Sequence, residues 1–169
     1  MLSIRQATAE DIPLLSHMGY TSYTHHFAHL WKNTDELRQF LEQEYGKTAL
    51  HQSMEEADSN WLIASTSTPV GFAKYSSGQY TESDGLCGTL LHKLYLMPGE
   101  TGQRFGEQLF AEVIRHAKAQ HETLLWLEVL ADNPQARKFY ERQGMQHLKD
   151  VHFTTATQTS TLHILTKML

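Results

Sequence analysis

Leu127-Glu128-Val129-Leu130-Ala131-Asp132-Asn133-Pro134-Gln135-Ala136-Arg137-Lys138-Phe139-Tyr140-Glu141-Arg142-Gln143-Gly144-Met145 is the most informative stretch of the chain. Its first residues complete an apolar run that begins at Thr123 (TLLWLEVL), the pattern of a strand covered on both sheet faces. Asn133 followed by Pro134 then reads as a helix start. The asparagine side chain can accept from a first-turn amide, and proline suits the first helical position because its missing N–H is not needed there. Gly144 is a natural stop. Residues 123–143 are therefore expected to run strand, tight turn, helix.

A second junction of this kind lies upstream. Thr89 to Met97 is expected to be a strand, with Leu90, Leu91, Leu94, Tyr95 and Leu96 as a buried apolar run. Pro98-Gly99-Glu100-Thr101-Gly102 ends it, and a helix from about 104 to 120 shows Phe105, Leu109, Phe110, Val113 and Ile114 on one face. Strand-to-helix junctions expose first-turn amides, which bind anions. Glycines at 99, 102 and 106 would let a phosphate come close to the backbone. An ordinary turn uses the same residues, so both readings stand at this point. No GxxxxGK[ST] occurs, and the Gly102–Gly106 spacing is not GxGxxG, so the simplest nucleotide-binding loops are excluded.

The rest reads as alternating elements. Residues 2–6 suggest a short strand, 11–27 a helix, and Asn33-Thr34-Asp35 a helix start leading through Leu37, Phe40, Leu41 and Tyr45 to Gly46. A short helix over 48–57 turns Leu50 and Met54 inward. Residues 61–64 and 70–75 form a hairpin, 76–88 a polar loop, and 147–155 with 160–167 a two-strand finish. The sum is one α/β domain spanning 1–169.

Bulk properties narrow the function. With 169 residues, 40% hydrophobic and 20% charged, the chain suits one globular domain. A net charge of -5 argues against a nucleic-acid partner, which usually needs a basic stripe, and weakly favours a cationic substrate. Cys87 is the single cysteine, so no internal disulfide exists. No apolar stretch suggests a signal peptide or a membrane span, and a cytoplasmic protein is expected.

Taken in one register, residues 133–145 resemble the signature N-x-x-A-x-x-F-Y-x-x-x-G-[FM] of the GNAT superfamily of N-acetyltransferases. Upstream, Leu94-Tyr95-Leu96-Met97 is similar to the superfamily's strand before its pyrophosphate loop, and Thr101-Gly102-Gln103-Arg104-Phe105-Gly106 falls in the register of [QR]-x-x-G-x-[GA]. Gly106 keeps the last glycine, while Thr101 and Arg104 depart from the pattern. Arg104 can take helical dihedrals if its side chain turns away from the phosphates, and its charge can then help to hold one. Over the whole chain the resemblance is nearest to bacterial polyamine acetyltransferases, including the segment Tyr20 to Phe27.

The resemblance implies a mixed, mostly antiparallel sheet of about seven strands. It implies helices on both faces and a parallel strand pair that splays apart. Acetyl-CoA would be the cosubstrate, held by Leu94, Tyr95, Leu96, residues 101–106 (Thr101, Gly102, Gln103, Arg104, Phe105 and Gly106), Asn133, Ala136 and Tyr140. A small-molecule primary amine such as a polyamine would be the acceptor; a protein N-terminus or lysine, or a catalytically impaired CoA-binding module, are the alternatives. Tyr140 is the expected acid for the departing thiolate, a backbone N–H near Leu94 or Tyr95 the oxyanion donor, and Leu94 and Leu96 the backbone partners of the pantetheine arm. His92 stands where many relatives carry a glutamate base, and an imidazole can accept a proton directly or through water. Glu82 and Asp84 are rivals for that role and, with Tyr23 and His26, candidates for substrate contact. His25 and His29 have metal-ligand spacing but lack further ligands, so no metal is expected. The chain should act as a monomer or homodimer.

Overall fold

The computed structural model describes residues 1–81 and 85–169. The chain runs β1 (Ser3–Gln6), α1 (Ile12–Phe27), α2 (Thr34–Tyr45), α3 (Lys47–Glu55), β2 (Ser59–Ser65), β3 (Pro69–Tyr80), β4 (Cys87–Leu96), α4 (Phe105–Ala119), β5 (Leu124–Leu130), α5 (Pro134–Arg142), β6 (Gln146–Thr154) and β7 (Thr159–Met168). This is the order expected from the sequence. One correction concerns residues 76–80, read as loop but belonging to β3: Gln79 and Tyr80 pair with Gly88 and Cys87. Their polar composition hid a strand that extends beyond the apolar part of the sheet.

The seven strands form one sheet in the order β1-β2-β3-β4-β5-β7-β6. Every neighbouring pair is antiparallel except β4–β5. A parallel neighbour requires a crossover, which α4 supplies. Strand alternation divides the interior between the two faces. Leu62, Ala64, Ala73, Tyr75, Leu125 and Leu127 pack with Phe105, Leu109, Phe110 and Val113 of α4. Trp61, Ile63 and Phe72 turn the other way, onto Leu15, Met18, Tyr23, Leu41, Tyr45 and Leu50 from α1, α2 and α3. Helices thus cover both faces, as the resemblance implied.

Two glycines set close approaches. A Cβ on Gly88 would lie 2.2 Å from the Leu124 carbonyl oxygen, so glycine is what lets β4 and β5 meet there. A Cβ on Gly19 would lie 2.0 Å from the Tyr45 ring, so its absence lets that ring settle against α1. Among the described residues, no helix is long and apolar enough to cross a membrane.

Candidate active site

β4 and β5 are hydrogen-bonded neighbours for only two register pairs, Thr89 with Leu125 and Leu90 with Trp126. Beyond these they part, although both strands continue, to Leu96 and Leu130. A cleft of about 1030 Å³ opens between them and runs past the N-termini of α4 and α5. This explains a second departure from expectation. Leu91 is buried, whereas Leu90, Leu94, Tyr95 and Leu96, which line the cleft, are only half-buried.

A bulge in β4 accompanies the parting. Lys74 pairs with Lys93 and Tyr75 with Leu91, so His92 is the extra residue. Beyond it the ladder to β3 is regular, and the Met97 N–H donates to the Val70 carbonyl. By the alternation of an antiparallel pair, residues 93, 95 and 97 turn their amides toward β3, and Leu94 and Leu96 turn theirs toward the cleft. The Leu96 carbonyl is already engaged: Ser22 Oγ donates to it at 3.0 Å, and His26 Nε2 lies 3.1 Å away. α1 is thereby tethered to the end of β4, and His26 serves that tether while also lining the cleft.

The loop after β4 holds three left-handed residues, Gly99 (φ 82°), Gly102 (φ 83°) and Arg104 (φ 64°, ψ 17°), of which the last two line the cleft. Arg104 is the N-cap of α4 and departs from the right-handed dihedrals expected for it. It holds the conformation a glycine adopts freely, at a steric cost of about 1–2 kcal/mol for a residue with a Cβ. No side chain caps α4, so its first-turn amides point outward without the usual partner. Thr101, Gly102, Arg104, Phe105 and Gly106 line the cleft. Gln103 is exposed, its side chain donating to Glu100 Oε2 at 3.4 Å.

α5 is built differently. Asn133 Oδ1 accepts from the Ala136 N–H at 3.2 Å, and Pro134 follows it. At the far end, Gly144 (φ 91°) closes the helix with two bonds, Gly144 N–H to the Glu141 carbonyl and Met145 N–H to the Tyr140 carbonyl, both 3.0 Å. Met145 is buried and anchors this turn. The signature residues thus fix both ends of the helix that carries Tyr140. Its ring lies against Phe139 (5.2 Å) and Phe110 (5.9 Å), and desolvation raises its phenol above the ordinary value, so it is protonated at neutral pH. Tyr140, Asn133 and Ala136 all line the cleft.

The opposite wall has a distinct chemistry. His92 reaches solvent at the cleft, with its Nε2 2.8 Å from Ser76 Oγ. Desolvation first, then the charges of Lys74 and Lys93, hold its imidazole down to about 3, so the ring is neutral across the physiological range. Lys93 is 8% exposed and paired at 2.6 Å with Glu44, a cleft-lining carboxylate that sequence reasoning missed. Nothing in the local sequence links residues 44 and 93; only the packing of α2 against β4 does.

Toward the other end of the cleft, Tyr23, Trp31, Phe40 and Phe153 form an aromatic group, with Tyr23–Phe40 at 4.9 Å, Trp31–Phe40 at 5.2 Å and Phe40–Phe153 at 6.3 Å. Trp31 Nε1 donates to the Tyr23 hydroxyl, whose pKa burial pushes up to about 12. The β6–β7 turn folds over this end. Gln158 Nε2 donates to the Leu30 carbonyl, its Oε1 accepts from the Lys32 N–H, and the Thr157 hydroxyl donates to Glu36. Glu82 and Asp84 lie outside the described residues. Trp31, Phe40 and Phe153 could not be found from sequence, because they come from separate segments that meet only at the turn.

The comparisons with known proteins agree with this architecture. Residues 23–145 match the model of the acetyltransferase (GNAT) family. A [ribosomal protein bS18]-alanine N-acetyltransferase of Haemophilus ducreyi is 31% identical over 86 residues, covering 45% of this chain and 59% of that protein. The chain thus aligns with about three-fifths of that relative. The crystal structure of a PaiA N-acetyltransferase from Thermoplasma acidophilum, solved in complex with coenzyme A, superposes with a TM-score of 0.80 at 21% identity, covering 100% of this chain and 99% of that one. The spermidine/spermine N-acetyltransferase SpeG of Vibrio cholerae superposes with a TM-score of 0.68 at 13% identity, over 99% and 95% of the two chains.

Proposed function

Since this chain belongs to the acetyltransferase (GNAT) family, we propose that it transfers an acetyl group from acetyl-CoA to the primary amine of a small molecule such as a polyamine. The parting of β4 from β5 beyond Leu90 carries this reading, because it leaves a strand edge and a slot where a pantetheine arm can lie.

The residues present suit the cosubstrate. The uncapped α4 N-terminus offers amides and a positive dipole end to a pyrophosphate. Gly106 leaves the first turn unobstructed, since a Cβ there would meet nothing closer than Phe139 at 3.6 Å. Leu94 turns its backbone groups into the slot. Of the two oxyanion donors expected, the Leu94 amide is the one we assign, because the Tyr95 amide faces β3. The Leu96 carbonyl is taken by Ser22 and His26, so we assign the pantetheine contacts chiefly to Leu94.

Acetyl-CoA supplies an acetyl group activated as a thioester. The acceptor nitrogen, once neutral, attacks the carbonyl carbon; the tetrahedral intermediate collapses with cleavage of the C–S bond, the Tyr140 hydroxyl gives its proton to the sulfur, and the proton shed by the new amide nitrogen restores the phenol. Keeping that phenol protonated is what its desolvated position achieves. The ammonium proton of the acceptor leaves to solvent along the wall at His92, whose neutral ring can accept a hydrogen bond; its lowered basicity suits a relay better than a resting place for the proton. The roofed aromatic end supports a compact cationic acceptor, since aromatic faces attract an ammonium group.

A second reading, acetylation of a protein N-terminus, is favoured by the relative that acts on the alanine of ribosomal protein bS18. A thiol-release assay with acetyl-CoA and spermidine, an aminoglycoside or an alanine-initiated peptide separates the two. Turnover on spermidine is expected. Turnover confined to the peptide overturns the small-amine reading, and tight CoA binding without turnover on any amine makes the chain a CoA-binding module.

A further inference from the structure

The β6–β7 edge of the sheet brings together three side chains that the acetyl-transfer site does not use. His147 pairs in register with Leu165 and Asp150 with His163, but between them the register shifts by one, so Leu148 is extra on β6. In a regular strand, residues three apart face opposite sides. The bulge resets the alternation, and His147 and Asp150 come to the same face as His163. His147 Nε2 and His163 Nδ1 converge on one oxygen, Asp150 Oδ1, at 2.7 and 2.6 Å, and the two rings lie 5.5 Å apart. All three ligand atoms fall within 4.8 Å of one another, and this is the only such group of histidine, cysteine and carboxylate residues among those described. His25 and His29, which have ligand spacing in sequence, do not form one.

We propose that His147, Asp150 and His163 form a binding site for a divalent transition-metal ion that ties β6 to β7. Two imidazoles and one carboxylate select a borderline ion such as Zn²⁺ or Co²⁺ over Ca²⁺ or Mg²⁺, which prefer oxygen donors. Each imidazole moves its proton to the other ring nitrogen and presents a lone pair where it now donates to Asp150. Ligand atoms in a tetrahedral site with bonds of about 2.0–2.1 Å lie about 3.3 Å apart, so the Asp150 contacts lengthen and the two imidazole nitrogens draw together. His147 and Asp150 are exposed and free of core packing, so they can make that adjustment; water completes the coordination shell.

The test is titration of the full-length chain, without a histidine tag, with Co²⁺ while visible absorption is recorded. Wild-type protein should bind one equivalent with the d–d bands of a low-coordinate site and gain thermal stability. His147→Gln and His163→Gln should each weaken binding roughly 100-fold and abolish the bands. Asp150→Asn, an isosteric change at an exposed position, provides the same test if a histidine variant misfolds, while His25→Gln should leave the titration unchanged. Absence of d–d bands from wild type at about tenfold excess of Co²⁺, or bands that survive His163→Gln and Asp150→Asn, would overturn the site.

Discussion

The two helices that start at the mouth of the cleft differ in how their first turns are satisfied. α5 is capped by its own Asn133 and entered through Pro134, so its N-terminus is locally satisfied and its contribution to the cleft is a side chain, Tyr140. α4 begins at a left-handed Arg104 with no side-chain cap, so its contribution is the backbone itself. A helix start that satisfies its own amides holds something else in place; one that leaves them open can hold an anion. Two strand–turn–helix units therefore take different roles in one site, and substitutions in them should fail in different ways.

The largest expected effect is on the α5 side. Tyr140→Phe removes the proton donor but keeps the ring packed on Phe110 and Phe139. It should lower kcat about 100-fold, the lower end for loss of general acid catalysis, while the CoA dissociation constant stays nearly constant. Equal kinetics for the two proteins would remove Tyr140 from the chemistry. On the α4 side, where the contribution is backbone, a small side chain should change neither property. Gly106→Ala places a methyl in ordinary contact with Phe139 and should leave the melting temperature close to wild type. CoA binding should also stay within about twofold of wild type by calorimetry, or about 0.4 kcal/mol, because the site is made by backbone amides and the resembled pattern admits alanine here; a tenfold loss would mean that the methyl crowds the phosphates. A variant that melts early but binds CoA normally would mean that Gly106 serves packing alone.

This contrast was only half legible in the sequence. Asn133, Pro134 and Gly144 declare their roles through local chemistry, so α5 and its boundaries could be read directly, and alternation and helical periodicity placed the other elements. Arg104 gave no such signal. A left-handed arginine is imposed by the geometry between β4 and α4, and intrinsic preference argues against it. Glu44 at Lys93, the aromatic group under the β6–β7 turn and the His147–Asp150–His163 cluster were hidden for another reason. Each joins residues from separate elements, and the last also depends on a one-residue register shift that composition does not report. The half-burial of β4 was misread because an apolar run looks the same whether packed side chains cover it or it lines an open cleft.

Smaller effects probe the two caps themselves. Asn133→Ala should cost about 1 kcal/mol of stability, the usual loss when an N-cap side chain is removed, seen as an earlier denaturant midpoint. CoA affinity should move little, because what is lost is a bond within the turn. Arg104→Gly tests the other helix start with the opposite sign. Glycine relieves about 1–2 kcal/mol of left-handed strain but makes the unfolded chain more flexible, which takes back about 0.4–1 kcal/mol. A net gain of about 0.5 kcal/mol should remain, small but readable in paired denaturation curves. The α4 amides would keep their direction, so the change in CoA affinity would isolate what the arginine charge adds to a backbone site. Should Arg104→Gly instead destabilise the fold, the arginine side chain would have to hold the loop in place, and α4 would no longer be the helix that begins without a cap.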